Sequence, residues 1–253
     1  MQLTPDEFIP ITLSVAVIAT FIYFSFFVFP FREISEETRR RQRSFISNAL
    51  FREYWYFIMT PMKNKLIEWD VHPNTLTIWG VILSIVAGVA FGLGSFGVGG
   101  WLVVLAATCD VYDGMLARAR AISLKSGAFF DSTLDRIGEL GMFFGVLWHF
   151  RFDDVWMPIV FILIASGQVV SYARARAEGL GFDGGKAFFQ RAERMIVLAL
   201  GMGLVPFVGL VFGDEGRDIM IKITTSFIAL GSMQTAVTRT YSIYRDIRKT
   251  EKA

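Results

Sequence analysis

Apolar runs too long for an ordinary water-soluble core recur along the whole of this chain, and they limit its fold more than any other feature. Several exceed the roughly 20 residues that carry a helix across bilayer hydrocarbon. In hydrocarbon every backbone N–H and C=O must find its partner within the protein, which leaves helices or a closed barrel. Continuous apolar runs without period-two alternation select helices. The chain is therefore expected to be all-α, a polytopic membrane helix bundle. Its charged fraction of 19%, below the roughly 25% of soluble proteins, agrees.

Taken in order, the first run spans 8–31 behind an acidic start, Asp6 and Glu7. It has no basic leader and no small-residue cleavage site, so it reads as a retained transmembrane helix. An arginine-rich segment follows, with Arg39, Arg40, Arg41 and Arg43. The stretch FREYWYFIMTPMKNKLIEW then mixes aromatics with Arg52, Lys63 and Lys65, as an amphipathic helix at the membrane interface does. A positive-inside loop with an aromatic belt is the compatible alternative.

Pro73 opens the next helix, to about Gly94, with Asn74 or Thr75 suited to its first turn. The turn GSFGVGG leads into a helix ending near Ala121. Further helices are expected over 125–150, 154–177, 187–212 and from about Arg217 through Arg239, with the loop LGFDGGK before the penultimate one. Gly88, Gly92 and Gly94 are expected at close helix contacts. The sum is seven membrane helices and one interfacial helix. The expected division is 1–31, an extra N-terminal transmembrane helix; 32–72, a basic linker with the interfacial helix; and 73–253, a six-helix core with a charged tail.

Basic residues orient this arrangement. Alternate loops place only Arg151, Arg217 and Lys222 near one face and the other 22 of the 25 near the opposite face. The positive-inside rule then puts the N-terminus outside and the C-terminus in the cytoplasm.

Against this background the segment CDVYDGMLARARAISLKSGAFFDSTLDR, from Cys109 to Arg136, stands apart. Asp110 and Asp113 are one helical turn apart, as are Asp131 and Asp135, so each pair shares a helix face. Ionised carboxylates in a bilayer are costly, and four together repel one another unless cations neutralise them. Hard oxygen donors suit Mg²⁺ or Mn²⁺, which also bind phosphate oxygens. Two such ions about 4 Å apart would polarise a phosphoryl group. Gly114 and Gly127 would let a ligand approach the backbone, and Arg118 would pair with a phosphate. The alternative is a set of helix-end salt bridges to Arg118, Arg120 and Arg136. A single cysteine excludes an internal disulfide, two histidines argue against a histidine metal site, and a formal charge of +2 gives no reason to expect nucleic acid.

The residues Asp110-x-x-Asp113-Gly114-x-x-Ala117-Arg118, then eight residues, then Gly127-x-x-x-Asp131-x-x-x-Asp135, resemble the complete motif of the CDP-alcohol phosphotransferases. The resemblance runs from about Pro73 to Arg245, includes the opening Pro73-Asn74-Thr75-Leu76-Thr77, and leaves out the first helix and its linker. It implies a six-helix core that dimerises, binds two divalent cations (Mg²⁺ or Mn²⁺), and transfers a substituted phosphate from a CDP-linked donor to an alcohol with release of CMP. By the family pattern Asp110, Asp113 and Asp131 hold the metals, and Asp135 completes the site and acts as general base. Gly114, Arg118 and Gly127 would contact the CDP group with Asn74 and Thr77, although helix capping explains the last two equally well.

Later arginines bear on the acceptor. SYARARAEGLG followed by RAERMIVL resembles the matching region of bacterial phosphatidylinositol phosphate synthases. That implies CDP-diacylglycerol as donor, inositol 1-phosphate as acceptor, and acceptor-phosphate contacts from Arg174, Arg194 and Arg239, with Arg191 nearby. Arg174 departs from the lysine that resemblance leads one to expect, which changes reach and geometry. Glycerol 3-phosphate is the rival acceptor, and serine a weaker one. From another class, intramembrane acids also mark cation transporters. The implied location is the cell's inner membrane, with the site facing the cytoplasm. Phe129 and Phe130 would line a lipid opening or simply pack.

Overall fold

The computed structural model describes residues 5–31, 49–120, 124–185 and 189–251, and among them there is no strand. Helix α1 is Pro5–Tyr23, drawn on to Phe31 by a wider and then a tighter turn. It is followed by α2 (Ala49–Glu68), α3 (Pro73–Gly92), α4 (Phe96–Ala119), α5 (Lys125–His149) and α6 (Trp156–Gly179). The final 60 helical residues, Arg191–Thr250, break at Gly213, whose φ of 69° and ψ of −158° are not helical. We call the two parts α7 (191–212) and α8 (214–250). The arginine-rich segment lies outside the described residues, as do the side chain of Arg52 and the expected helix limits at Ala121 and Ala187.

Length and apolarity alone single out five candidate spans, Arg191–Thr250 among them as one. The break at Gly213 makes that helix two antiparallel arms, with Arg217 packed against Gly209 and Thr224 against Gly201. Helix α5 is the seventh; its Asp131, Asp135, Arg136 and Glu139 dilute its hydropathy. The multi-pass, all-helical reading therefore stands, but two boundaries move. The last helix begins straight after Gly213 rather than near Arg217, and α7 starts at Arg191. At about 1.5 Å per residue α8 is about 55 Å long, well beyond a hydrocarbon core.

Close backbone contact joins α3 to α5. A Cβ on Gly88 would sit 2.1 Å from the Gly141 carbonyl oxygen, and one on Gly145 would sit 1.8 Å from that of Gly88. Only hydrogen fits, as at many membrane helix crossings. Gly92 lies 3.4 Å from the Trp148 ring by the same measure. Gly94 packs against nothing: its φ of 86° ends α3 and turns the chain into α4, which corrects its expected role. Pro73 takes the first helical position of α3 as expected, and His72 caps it, its Nδ1 accepting the Asn74 N–H at 3.2 Å.

Helix α4 packs on α3 and on the α7–α8 pair, which also carries α6. A core of Phe91, Val103, Phe143, Leu163, Leu198 and Ile228 lies between them. Helix α2 forms a second cluster at the end of α4, where Tyr56, Met59 and Leu66 pack around Tyr112, Met115 and Leu116. Its Phe57, Ile58 and Met62 remain exposed. The α2 C-terminus closes with Val71 N–H on the Leu66 carbonyl and Asp70 N–H on that of Ile67, a Schellman turn. It places Asp70 at φ 52°, where its carboxylate pairs with Arg120 at 2.9 Å. Helix α1 is fastened at the opposite end: Trp101 Nε1 donates to the Pro10 carbonyl at 3.1 Å, and Arg217 pairs with Glu7.

Candidate active site

At one end of the bundle the end of α4 meets the starts of α3, α5 and α7. Asp110 and Asp113, three apart on α4, face Asp131 on α5, and one oxygen from each can be chosen so that all three lie within 4.8 Å of one another. Asp113 is buried and its Oδ2 accepts the Thr77 hydroxyl of α3 at 2.7 Å. Asp135, one turn beyond Asp131, accepts Arg191 Nη1 of α7 on Oδ2 at 2.8 Å, and the same nitrogen lies 3.6 Å from Asp110 Oδ1. The Arg191 guanidinium thus lies beside two of the four carboxylates.

The donor set fits a divalent cation. Asp131 Oδ1 is buried with no hydrogen-bond partner, an expensive condition for a carboxylate oxygen. One oxygen from each of three carboxylates on two helices, all within 4.8 Å of one another, is a grouping that could hold an ion. All three donors are hard carboxylate oxygens, as Mg²⁺ and Mn²⁺ prefer. Two arginines of the salt-bridge alternative are engaged elsewhere: Arg120 pairs with Asp70, and Arg136 donates to the Ser132 carbonyl.

The remaining expected site residues fall into three groups. Asn74 and Thr77 lie in the first turns of α3, Thr77 already engaged with Asp113. The Arg118 guanidinium folds back over Gly114, where a Cβ would meet Nη1 at 3.2 Å, whereas the space beside Gly127 is open. Arg191 sits with the carboxylates, apart from the other three arginines. Arg194 is wholly buried and gives Nε to Glu139 Oε1 at 2.7 Å. Arg239 is buried too, donating to the carbonyls of Val170 and Gly185, each at 3.2 Å. Arg174 is more exposed and pairs with Glu178 at 2.8 Å, within electrostatic reach of Arg239. Phe129 is exposed and Phe130 half-buried.

Sequence reasoning missed Glu139, Glu178 and the glycines that close over the arginines. Gly184 presses on Arg174, where a Cβ would come within 2.6 Å of Cγ, and Gly185 turns at φ 70° beside Arg239. Glu139 did carry a signal: it continues the four-residue spacing of Asp131 and Asp135.

The profile of the CDP-alcohol phosphatidyltransferase family matches residues 70–233. The chain belongs to this family. It is a transferase of the CDP-alcohol type. It is 32% identical over 213 residues to the phosphatidylinositol phosphate synthase of Streptomyces avermitilis, covering 81% of this chain and 86% of that protein. To the Mycobacterium tuberculosis synthase it is 30% identical over 204 residues, 79% of this chain and 90% of the relative. The crystal structure of the latter with CDP-DAG bound superposes with a TM-score of 0.65 at 30% identity, covering 74% of this chain and 94% of that one. The same synthase in complex with manganese and citrate gives 0.66 at 29% identity, over 74% and 88%.

Proposed function

We propose that this enzyme transfers a phosphatidyl group from CDP-diacylglycerol to inositol 1-phosphate, giving phosphatidylinositol phosphate and CMP. The observation that carries this reading is Arg194, wholly buried one helical turn from Arg191, with Nη1 and Nη2 both lacking a hydrogen-bond partner. Two such donors on one guanidinium match two oxygens of a phosphate. A neutral acceptor such as inositol or serine would leave them unmatched. The similarity to two phosphatidylinositol phosphate synthases supports the same choice.

In this mechanism the acceptor hydroxyl oxygen attacks the phosphorus that bears diacylglycerol. The bond from that phosphorus to the bridging oxygen breaks, CMP leaves, and the hydroxyl proton passes to Asp135. Arg191 holds Asp135 Oδ2 at 2.8 Å, which leaves Oδ1 as the atom to take the proton. Asp110, Asp113 and Asp131 would hold two divalent cations, Mg²⁺ or Mn²⁺, with Asp135 completing the set; when bound these supply Lewis-acid stabilisation of pyrophosphate charge. Thr77 fixes Asp113 for that role. Arg118 folded over Gly114, together with Asn74 and the open backbone at Gly127, would take the cytidine diphosphate, while Arg174, Arg194 and Arg239 hold the acceptor's phosphate. The transporter reading loses ground, because these acids gather at one end of the bundle rather than along a path through it.

The same reading places the protein in the cell's inner membrane with its N-terminus outside and the catalytic end in the cytoplasm. The basic-residue bias supports that orientation. It assigns catalysis to 73–253, treats 1–31 as an added membrane helix, and lays α2 along the cytoplasmic interface. The working unit is a homodimer, which chemical crosslinking in membranes tests by a band at twice the monomer mass.

The reaction is tested by CMP release from CDP-diacylglycerol with one acceptor at a time. Inositol 1-phosphate is expected to give the highest kcat/KM. A preference for glycerol 3-phosphate would keep the chemistry and replace the acceptor. A preference for inositol or serine would contradict the phosphate site.

A further inference from the structure

Two rungs link α5 to α7. Asp131, Asp135 and Glu139 follow at four-residue spacing on α5, and Arg191 and Arg194 are three apart on α7. Arg191 meets Asp135 at 2.8 Å, and one turn deeper Arg194 meets Glu139 at 2.7 Å. The deeper rung is dry, its side chains 0% and 2% exposed. It is also poorly satisfied. Arg194 has five N–H donors, of which Nε alone has a partner nitrogen-to-oxygen contact, while Nη1, Nη2 and Glu139 Oε2 are buried without one.

As a stabilising device this pair is a poor choice. Buried ion pairs contribute less than well-packed apolar residues of the same volume, and unsatisfied polar atoms make the comparison worse. The bond through Nε does one specific thing: it fixes the plane of the guanidinium while leaving both buried terminal nitrogens without a protein partner. Gly167 of α6 backs the pair, since a Cβ there would lie 3.5 Å from Glu139 Oε1 and 3.7 Å from Arg194 Nε. The pair is thus boxed in on that side.

We propose that Glu139 is a positioning residue for the acceptor, holding Arg194 by Nε so that Nη1 and Nη2 meet two oxygens of the acceptor's phosphomonoester. This rests on the reading of a phosphorylated acceptor. Because the work is done by the oxygen that receives Nε–H, the amide of Glu139→Gln can replace it. The apolar Glu139→Leu cannot, and Glu139→Asp draws the oxygen back by one methylene.

The test measures KM for inositol 1-phosphate, KM for CDP-diacylglycerol and kcat in purified wild type and the three variants. Glu139→Gln is expected to keep the acceptor KM within about threefold of wild type. Glu139→Leu should raise it at least tenfold with the donor KM unchanged, and Glu139→Asp, the fallback if the Leu variant does not fold, should do the same. An acceptor KM unmoved in Leu and Asp overturns the proposal. So does a parallel rise in both KM values, the mark of a merely structural residue, or a Gln variant as impaired as Leu. If wild type itself shows no turnover with any phosphorylated acceptor while an unphosphorylated one is used, the acceptor reading fails first and the role of Glu139 falls with it.

Discussion

The hydroxyl of Thr77 on α3 donates to Asp113 Oδ2 on α4 at 2.7 Å. This bond crosses two helices at the buried edge of the carboxylate cluster and fixes which Asp113 oxygen remains for a cation. Thr77→Val keeps the shape and removes the donor, so a buried carboxylate oxygen loses its partner, at about 1–3 kcal/mol. The expected result is an activating Mn²⁺ concentration raised about tenfold, with Thr77→Ser close to wild type. Metal titration of CMP release checks it, and an unchanged Mn²⁺ requirement in the Val variant would remove Thr77 from the site.

Arg191 pairs with Asp135 at 2.8 Å and lies 3.6 Å from Asp110. Arg191→Ala takes the orienting bond from Asp135 Oδ2 and leaves the carboxylates with less counter-charge. A drop in kcat of about 10–100-fold is expected, which corresponds to roughly 1.4–2.7 kcal/mol. Arg191→Lys should restore little, since an ammonium does not reproduce the guanidinium's reach to two carboxylates. Steady-state kinetics at saturating metal decides this, and full activity in Arg191→Ala would contradict the assignment.

Gly88 and Gly145 hold α3 against α5, and each would put a Cβ within 2.1 Å of a carbonyl oxygen across the contact. Gly88→Ala or Gly145→Ala must force the helices apart, with a loss of about 1–3 kcal/mol expected from overpacking. Gly127 has open space instead. Gly127→Ala should leave thermal unfolding in detergent unchanged while raising the KM for CDP-diacylglycerol, if the donor lies on that backbone. A fall in melting temperature for Gly127→Ala and none for Gly88→Ala would reverse the account.

Asp153, in the turn before α6, accepts the N–H groups of Trp156 and Val155 on Oδ1 at 2.9 and 3.0 Å. These bonds, that of Trp156 foremost, hold its carboxyl below the usual range. A carboxyl depressed in the folded state contributes stability above its unfolded pKa, near 3.9. That contribution disappears as pH falls through the lower folded value. Asp153→Asn should therefore flatten the acid limb of melting temperature against pH below about pH 4, and an unaltered limb would show that the cap is not felt.

Much of this site could be read in advance because the four aspartates are local: their spacing of three and four places them on two helix faces whatever the tertiary fold. The partners that hold them are not local. Thr77 lies 36 residues from Asp113, and Glu139 lies 55 from Arg194, so no periodicity connects either pair. The arginines looked alike along the chain, and only packing separates buried Arg194 and Arg239 from Arg174 on Glu178 and from Arg191 on Asp135. Helix limits failed where glycine geometry decides them. Gly94 and Gly213 turn the backbone through positive φ, and composition does not distinguish such a glycine from one at a helix crossing such as Gly88.

The central claim is transfer of a phosphatidyl group to an acceptor that already carries a phosphate. Its most direct measurement is ³¹P NMR of the lipid formed by purified enzyme from CDP-diacylglycerol, Mn²⁺ and inositol 1-phosphate. The account predicts a product with phosphodiester and phosphomonoester resonances of equal intensity, formed in step with CMP and lost in Asp135→Asn. A lipid with a phosphodiester resonance alone, formed only when an unphosphorylated alcohol is supplied, would contradict it.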